Sequence, residues 1–228
     1  MKHYLIIICL IFSSSVFAQS KDFYRLFDYA NNASSRKTKS IESLSKYFKK
    51  GAKSQKELAE LIYFWISNNI AYDVESYINN LEIDVSAENT FLTRKTVCSG
   101  YANLFLEFCY QVNLDCEVIN GFAKGYGFKG EKAQKPNHAW NAVKINNKWE
   151  LIDVTWGAGY VEIEEGVLSF RKLFCSRYLF DKPDDFVLEH FPVDSKWQLM
   201  RKTISMEEFY SQEMETKRLK RKGFSTEE

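Results

Sequence analysis

Between Asn137 and Trp156 the chain reads NHAWNAVKI, then Asn146-Asn147, then KWELIDVTW, and this segment leaves the fold little choice. Consecutive Asn residues tolerate positive φ and suit the two-residue turn whose twist matches that of antiparallel strands. The flanking residues alternate and are rich in aromatic and β-branched types, which predicts strands over 139–145 and 148–155. A two-residue turn sets Ile145 opposite Lys148, so counting outward sets Trp140 opposite Asp153 and His138 opposite Thr155. His138 and Asp153 then share one face as diagonal neighbours, with Cβ atoms within about 7–8 Å, near enough for an imidazole to reach a carboxylate. A slip of one residue would turn Asp153 to the other face and break the pair.

Upstream of this hairpin the apolar period changes from two to 3.6. Ser54 and Glu57 form a capping box. Behind it Leu58, Leu61, Ile62, Trp65 and Ile66 recur at helical spacing, predicting a helix that ends near Asn69. A second helix is expected from Thr96–Cys98 to about Gln111, followed by a strand over 116–122. Residues 21–50 are Lys/Ser-rich and read as one or two short helices on the outside, without chemistry of their own. Downstream, 170–180 is expected to add strand, and Ser205 with Glu208 to cap a charged helix running through Lys222. The implied class is α+β, with a helix packed on an antiparallel sheet.

The length of 228 residues, 45% hydrophobic and 27% charged, fits one globular domain. Residues 1–18 read as an address: Lys2 and His3 precede an apolar run from Tyr4 to Phe12, and Val16 and Ala18 have the small-residue spacing of a cleavage site. The run is nine residues, against the roughly 20 that span a bilayer, so no stable membrane insertion is expected. The expected layout is a signal peptide over 1–18, a helical segment over 19–50, the main domain over 51–200 and the charged helix over 201–228. Loss of Lys2 leaves 30 basic against 30 acidic residues, a balance that argues against nucleic acid as partner. The run Lys217–Lys222 is accordingly read as a solvated helix end. Four cysteines remain after cleavage, Cys98, Cys109, Cys116 and Cys175, with no CxxC pair, so neither a metal nor another cofactor is expected.

Cys98 falls where the second helix starts, and first-turn N–H groups together with the helix dipole favour a thiolate there. Cys98 and Cys109 lie about 16 Å apart along a helix axis, beyond disulfide reach, whereas Cys109 with Cys116 stays open. Cys98, His138 and Asp153 together form a nucleophile, a base and an orienting carboxylate, in an order and geometry that suit acyl transfer. The Cys98 N–H is a natural oxyanion donor. The literal GxGxxG over Gly125–Gly130 is followed by Pro136 and a strand where a dinucleotide fold needs a helix, so it reads as a loop beside the cleft. His190, just before Phe191-Pro192, reads as a packing residue.

The segments VCSGYANLF (97–105), GFAKGYG (121–127), NHAWNAVKI (137–145) and KWELIDVTWGAGY (148–160) resemble the transglutaminase-like superfamily, as do YFWISNNIAYD (63–73) and HFPVDSKWQLM (190–200). The likeness is to its bacterial branch similar to kyphoscoliosis peptidase and covers roughly residues 55–200. It implies a papain-like α+β core with the nucleophile helix on an antiparallel sheet, and it maps the triad onto Cys98, His138 and Asp153. Trp65, 33 residues before Cys98, and Trp140 are the candidates for an oxyanion or cleft role, although the helical spacing of Trp65 favours the core. The implied function is an exported cysteine peptidase or amidase acting on peptide or protein amides, with cell-wall or envelope peptides as candidate substrates. The alternatives are an acyltransferase of the transglutaminase type and a non-catalytic peptide-binding module. Export predicts that the mature protein begins at Gln19, to be read by N-terminal sequencing and intact mass of exported material. An intact N-terminus there would overturn the assignment.

Overall fold

The computed structural model describes residues 21–125 and 128–211. The expected signal peptide and the end of the expected C-terminal helix lie outside these residues. Helix α1 spans 21–31 and α2 spans Ile41–Gly51. Their Leu26, Ala30, Leu44 and Phe48 are buried in the main core, so this segment closes the core rather than decorating it. The sparse apolar residues among Lys and Ser concealed that face. Helix α3 (Gln55–Asn69) starts at Ser54, whose Oγ accepts from Glu57 N at 3.2 Å. The returning Glu57 carboxylate accepts from Lys53 N at 2.7 Å, one residue earlier than the usual box. Residues 61–67 of α3 are all buried, which makes it the central helix of the core.

Strand β1 (Ala71–Tyr72) pairs in parallel with β2 (Lys95–Thr96), and α4 (Val74–Ile78) and α5 (Ala87–Thr93) lie between them in sequence. This small ladder delivers the chain into α6 (Cys98–Val112). Helix α6 buries Tyr101, Leu104, Phe105, Phe108 and Val112, each worth roughly 1.5–3 kcal/mol on burial. It stops at Asn113 in the left-handed region, and Leu114 N–H closes back onto Cys109 O.

Beyond α6 run β3 (Cys116–Ala123), β4 (His138–Ile145), β5 (Lys148–Ile152), α7 (Val154–Ala158), β6 (Gly159–Glu164) and β7 (Val167–Lys172). The described chain ends with β8 (Leu179–Asp181), α8 (Pro183–Phe186), β9 (His190–Pro192) and α9 (Met206–Ser211). The main sheet is antiparallel, in the order β8-β5-β4-β3-β9. Alternation along β4 separates two clusters. Val143 and Ile145 join the main core, where neighbouring Asn141 donates to Ala102 O of α6, while Trp140 and Ala142 pack with Ile119, Leu151 and Phe186 on the opposite face. The Asn146-Asn147 turn has both φ values positive, at 49° and 65°, and sets Ile145 opposite Lys148.

Two expected strands differ. Strand β5 ends at Ile152, because Asp153 turns into the N-cap of α7. The strand expected over 170–180 is instead the end of the β6–β7 hairpin plus the separate β8. That hairpin turns at Glu165-Gly166 with φ values of 50° and 81°, and Glu, a rare occupant of positive φ, gave no turn signal. Helix α9 begins at the expected capping box, with Glu208 N–H on Ser205 Oγ and Ser205 N–H on the Glu208 carboxylate. Among the described residues no helix is long and apolar enough to cross a membrane.

Gly100 permits the seating of α6. A Cβ there would overlap the Thr96 and Thr90 hydroxyls, in the ladder strand and helix that precede α6. Gly100→Ala is therefore expected to destabilise the fold by roughly 1–3 kcal/mol, measured by urea unfolding. An unchanged midpoint would show that the helix seat yields freely.

Candidate active site

Cys98 is the first residue of α6, behind a Val97 N-cap that offers no side-chain acceptor to the first-turn N–H groups. A 15-residue helix thus presents its positive end at the thiol. His138 opens β4, paired with Gly121 of β3, and this places its ring where the sheet meets the start of α6. Burial opposes the Cys98 thiolate, but hydrogen bonding to the His138 imidazole, the charge on that ring and a bond from Ala139 N–H outweigh it and hold the thiol below its ordinary range.

Asp153 has no exposed surface and serves two purposes. Its Oδ1 accepts from Trp156 N–H at 3.0 Å, capping α7, and its Oδ2 lies 2.7 Å from His138 Nε2. Burial alone would raise the carboxyl, yet the charge and hydrogen bond of His138 hold it well below the usual carboxylate range. Reciprocally, burial opposes the His138 cation, while the Asp153 charge and hydrogen bond prevail and raise the imidazole above its ordinary value. With Nε2 committed to Asp153, Nδ1 is the ring nitrogen left for Cys98. The three residues singled out from the sequence are therefore brought together, as thiol, imidazole and carboxylate in series.

The sequence reading missed a fourth member. His190 lies on β9 opposite Ala123, and its Nε2 is 2.9 Å from the same Asp153 Oδ2. Nothing local marks this: a three-residue strand pairing far along the chain carries no periodicity of its own. His138, Asp153 and His190 also form a possible metal-ligand trio, with one ligand atom from each within 4.8 Å of the others. Two imidazole donors meeting one carboxylate oxygen at hydrogen-bond distances already account for that spacing.

The cleft beside His138 has a volume of about 710 Å³. Tyr72, Trp156, Tyr160 and Tyr178 line it, with Lys124 and Lys129 from the loop after β3. Gly125 and Phe128 of the GxGxxG segment also line the cleft, whereas residues 126 and 127 lie outside the described ones. Asn137 braces this wall through paired amide bonds to Ala123 N and O. Lys124, nearly buried, donates to Phe209 O of α9 at 2.6 Å. Neither tryptophan considered for an oxyanion or cleft role lines the cleft. Trp65 is sealed in the main core, stacked 5.4 Å from Phe91 with the Arg94 guanidinium over its ring, and does not line the cleft. Trp140 is equally buried, 5.1 Å from the His190 ring, so it supports the site from beneath. Trp156 is the tryptophan that faces the cleft, 5.4 Å from the His138 ring.

The profile of the transglutaminase-like superfamily matches residues 42–154. Kyphoscoliosis peptidase of Mus musculus is 31% identical over 189 residues, covering 81% of this chain and 28% of that protein. Hillarin of Drosophila melanogaster is 31% identical over 121 residues, covering 48% of this chain and 15% of that protein. The chain thus spans 28% or less of the length of these relatives. A solved candidate cysteine protease from Cytophaga hutchinsonii aligns at 23% identity and a TM-score of 0.39, over 59% of this chain and 42% of that one.

These surroundings predict distinct thiol reactivities. Cys109, at the buried end of α6, is pushed well up by burial and by contact with Cys116, the reverse of Cys98. A depressed folded-state value keeps the Cys98 thiolate populated as pH falls below the ordinary thiol value of about 8.5. Cys98 should therefore alkylate faster at neutral pH than Cys109, Cys116 and Cys175, as read by iodoacetamide labelling and peptide mass spectrometry. Equal rates would break the thiol–imidazole pairing.

Proposed function

Given that the chain belongs to the transglutaminase-like superfamily, we propose that it is an exported thiol enzyme hydrolysing amides in peptides or proteins through Cys98, His138 and Asp153. The observation that carries this reading is the series itself: a thiol at a helix N-terminus, hydrogen-bonded to an imidazole whose far nitrogen is held 2.7 Å from a buried carboxylate. In the proposed reaction the Cys98 thiolate adds to the amide carbon, and the oxyanion forms beside the first-turn N–H groups of α6. Collapse breaks the C–N bond, and the departing amine takes its proton from His138. The resulting thioester is hydrolysed by water that gives a proton to His138, releasing the acid and restoring the pair. Asp153 stays ionised and holds the ring in one tautomer.

The aromatic wall formed by Tyr72, Trp156, Tyr160 and Tyr178 provides an apolar bed for an extended peptide, and Lys129 stands at its rim. Peptide or protein chains are accordingly the proposed substrates, those of the cell wall or envelope being the ones an exported enzyme meets.

The test is incubation of the protein with a peptide library and a primary amine, scored by mass for new termini, ammonia release and amine incorporation. Cleavage is the expected result. Amine incorporation in its place would make the enzyme a transferase, and retained binding without turnover a peptide-binding module. Cys98→Ala should abolish turnover, and Asp153→Asn should slow it by up to about 10⁴-fold, the loss found when a serine-triad carboxylate is neutralised. Unchanged activity in Cys98→Ala would falsify the mechanism.

A further inference from the structure

We infer that His190 is a positioning residue for the site, a permanently neutral imidazole that donates its Nε2–H to Asp153 and so fixes the carboxylate oxygen that orients His138. The inference rests on the catalytic roles proposed above for Cys98, His138 and Asp153.

Geometry carries it. His138 and His190 approach one oxygen, Asp153 Oδ2, at 2.7 and 2.9 Å. An ionised carboxylate only accepts, so both Nε2 atoms must carry protons. The His190 ring is 1% exposed, stacked 4.0 Å from Phe186 and lying 4.4 Å from Trp156. Its Nδ1 is buried and, among the described residues, has no partner. A proton on that nitrogen would be a buried, unsatisfied donor on a cation, costly on both counts. The tautomer with hydrogen on Nε2 alone avoids both costs and supplies the bond that Asp153 needs. Burial accordingly lowers His190 below the ordinary imidazole value despite the nearby carboxylate, whereas His138 is raised. One carboxylate thus faces two imidazoles in different charge states: a cation able to exchange its proton with Cys98, and a fixed dipole that cannot.

The ionisable groups around this centre are Cys98 and Tyr101 from α6, His138 from β4, Tyr63 from α3, Tyr72 from β1, Tyr178 before β8, and Glu189 beside His190. Glu189 is itself paired with Arg177 at 2.5 Å. If the His190 donor is lost, the buried Asp153 carboxylate becomes harder to keep ionised. It then protonates at a higher pH, and His138 loses its anion there.

Two reciprocal variants separate positioning from packing. His190→Phe keeps an aromatic ring in the cage but lacks the donor; His190→Gln keeps an N–H donor but lacks the ring. Positioning predicts that His190→Phe lowers kcat by about 10–100-fold, the scale at which hydrogen-bonded partners of metal-bound histidines act. It should also move the acid limb of Cys98 alkylation to higher pH, and His190→Gln should restore much of both. Wild-type behaviour in His190→Phe would overturn the inference, as would a deficit confined to His190→Gln.

Should neither variant fold, nitrogen NMR of the unmodified protein decides the matter, since the sequence holds only three histidines. A neutral His190 protonated at Nε2 across neutral pH is expected. A cationic ring, or a proton on Nδ1, overturns the inference. This spectrum reads His190 whether or not the protein turns over substrate. Failure of the catalytic reading would appear separately, as an ordinary alkylation rate at Cys98.

Discussion

A carboxylate withdrawn from water organises the functional half of this structure. The penalty for burying Asp153 runs to several kcal/mol unless it is compensated, and three N–H donors provide the compensation: Trp156 N on one oxygen, His138 and His190 on the other. Each donor arrives from a different element, α7, β4 and β9. Meeting the needs of one buried anion therefore fixes the relative positions of a helix start and two strands. The anion in turn charges His138, and His138 charges Cys98.

Helix α6 joins this centre to the core. Its apolar residues pack under α3 and against the sheet, so the thiol at its first residue rests on a seat held by hydrophobic burial rather than on a loop. The helix also shows how strongly position governs chemistry. Cys98 at its open start is held below the ordinary thiol range, and Cys109, three turns further in, is driven above it. The same side chain is favoured as a thiolate at one end and as a thiol at the other.

Much of this was legible in the amino-acid order where local rules govern. The Asn146-Asn147 turn sets the register that places His138 near Asp153, and the capping signals at Ser54 and Ser205 mark real helix starts. Legibility failed where distant segments decide. His190 reads as filler because its meaning depends on a strand pairing with Ala123, and the β6–β7 hairpin was hidden by a Glu in a left-handed turn. Trp65, by contrast, lies in the core that its helical spacing favours. Asp153 looked like strand because its neighbours alternate. Its capping of α7 became visible only with the helix it caps.

The wide spacing of the site along the chain has a consequence for the order of events during folding. Cys98, His138, Asp153 and His190 converge only after the sheet has closed through β9, its last strand in sequence. Until β4 packs against α6, Cys98 lacks the His138 and Ala139 contacts that hold its thiol down. The lowered thiol is thus a product of the docked sheet and not of the helix start alone.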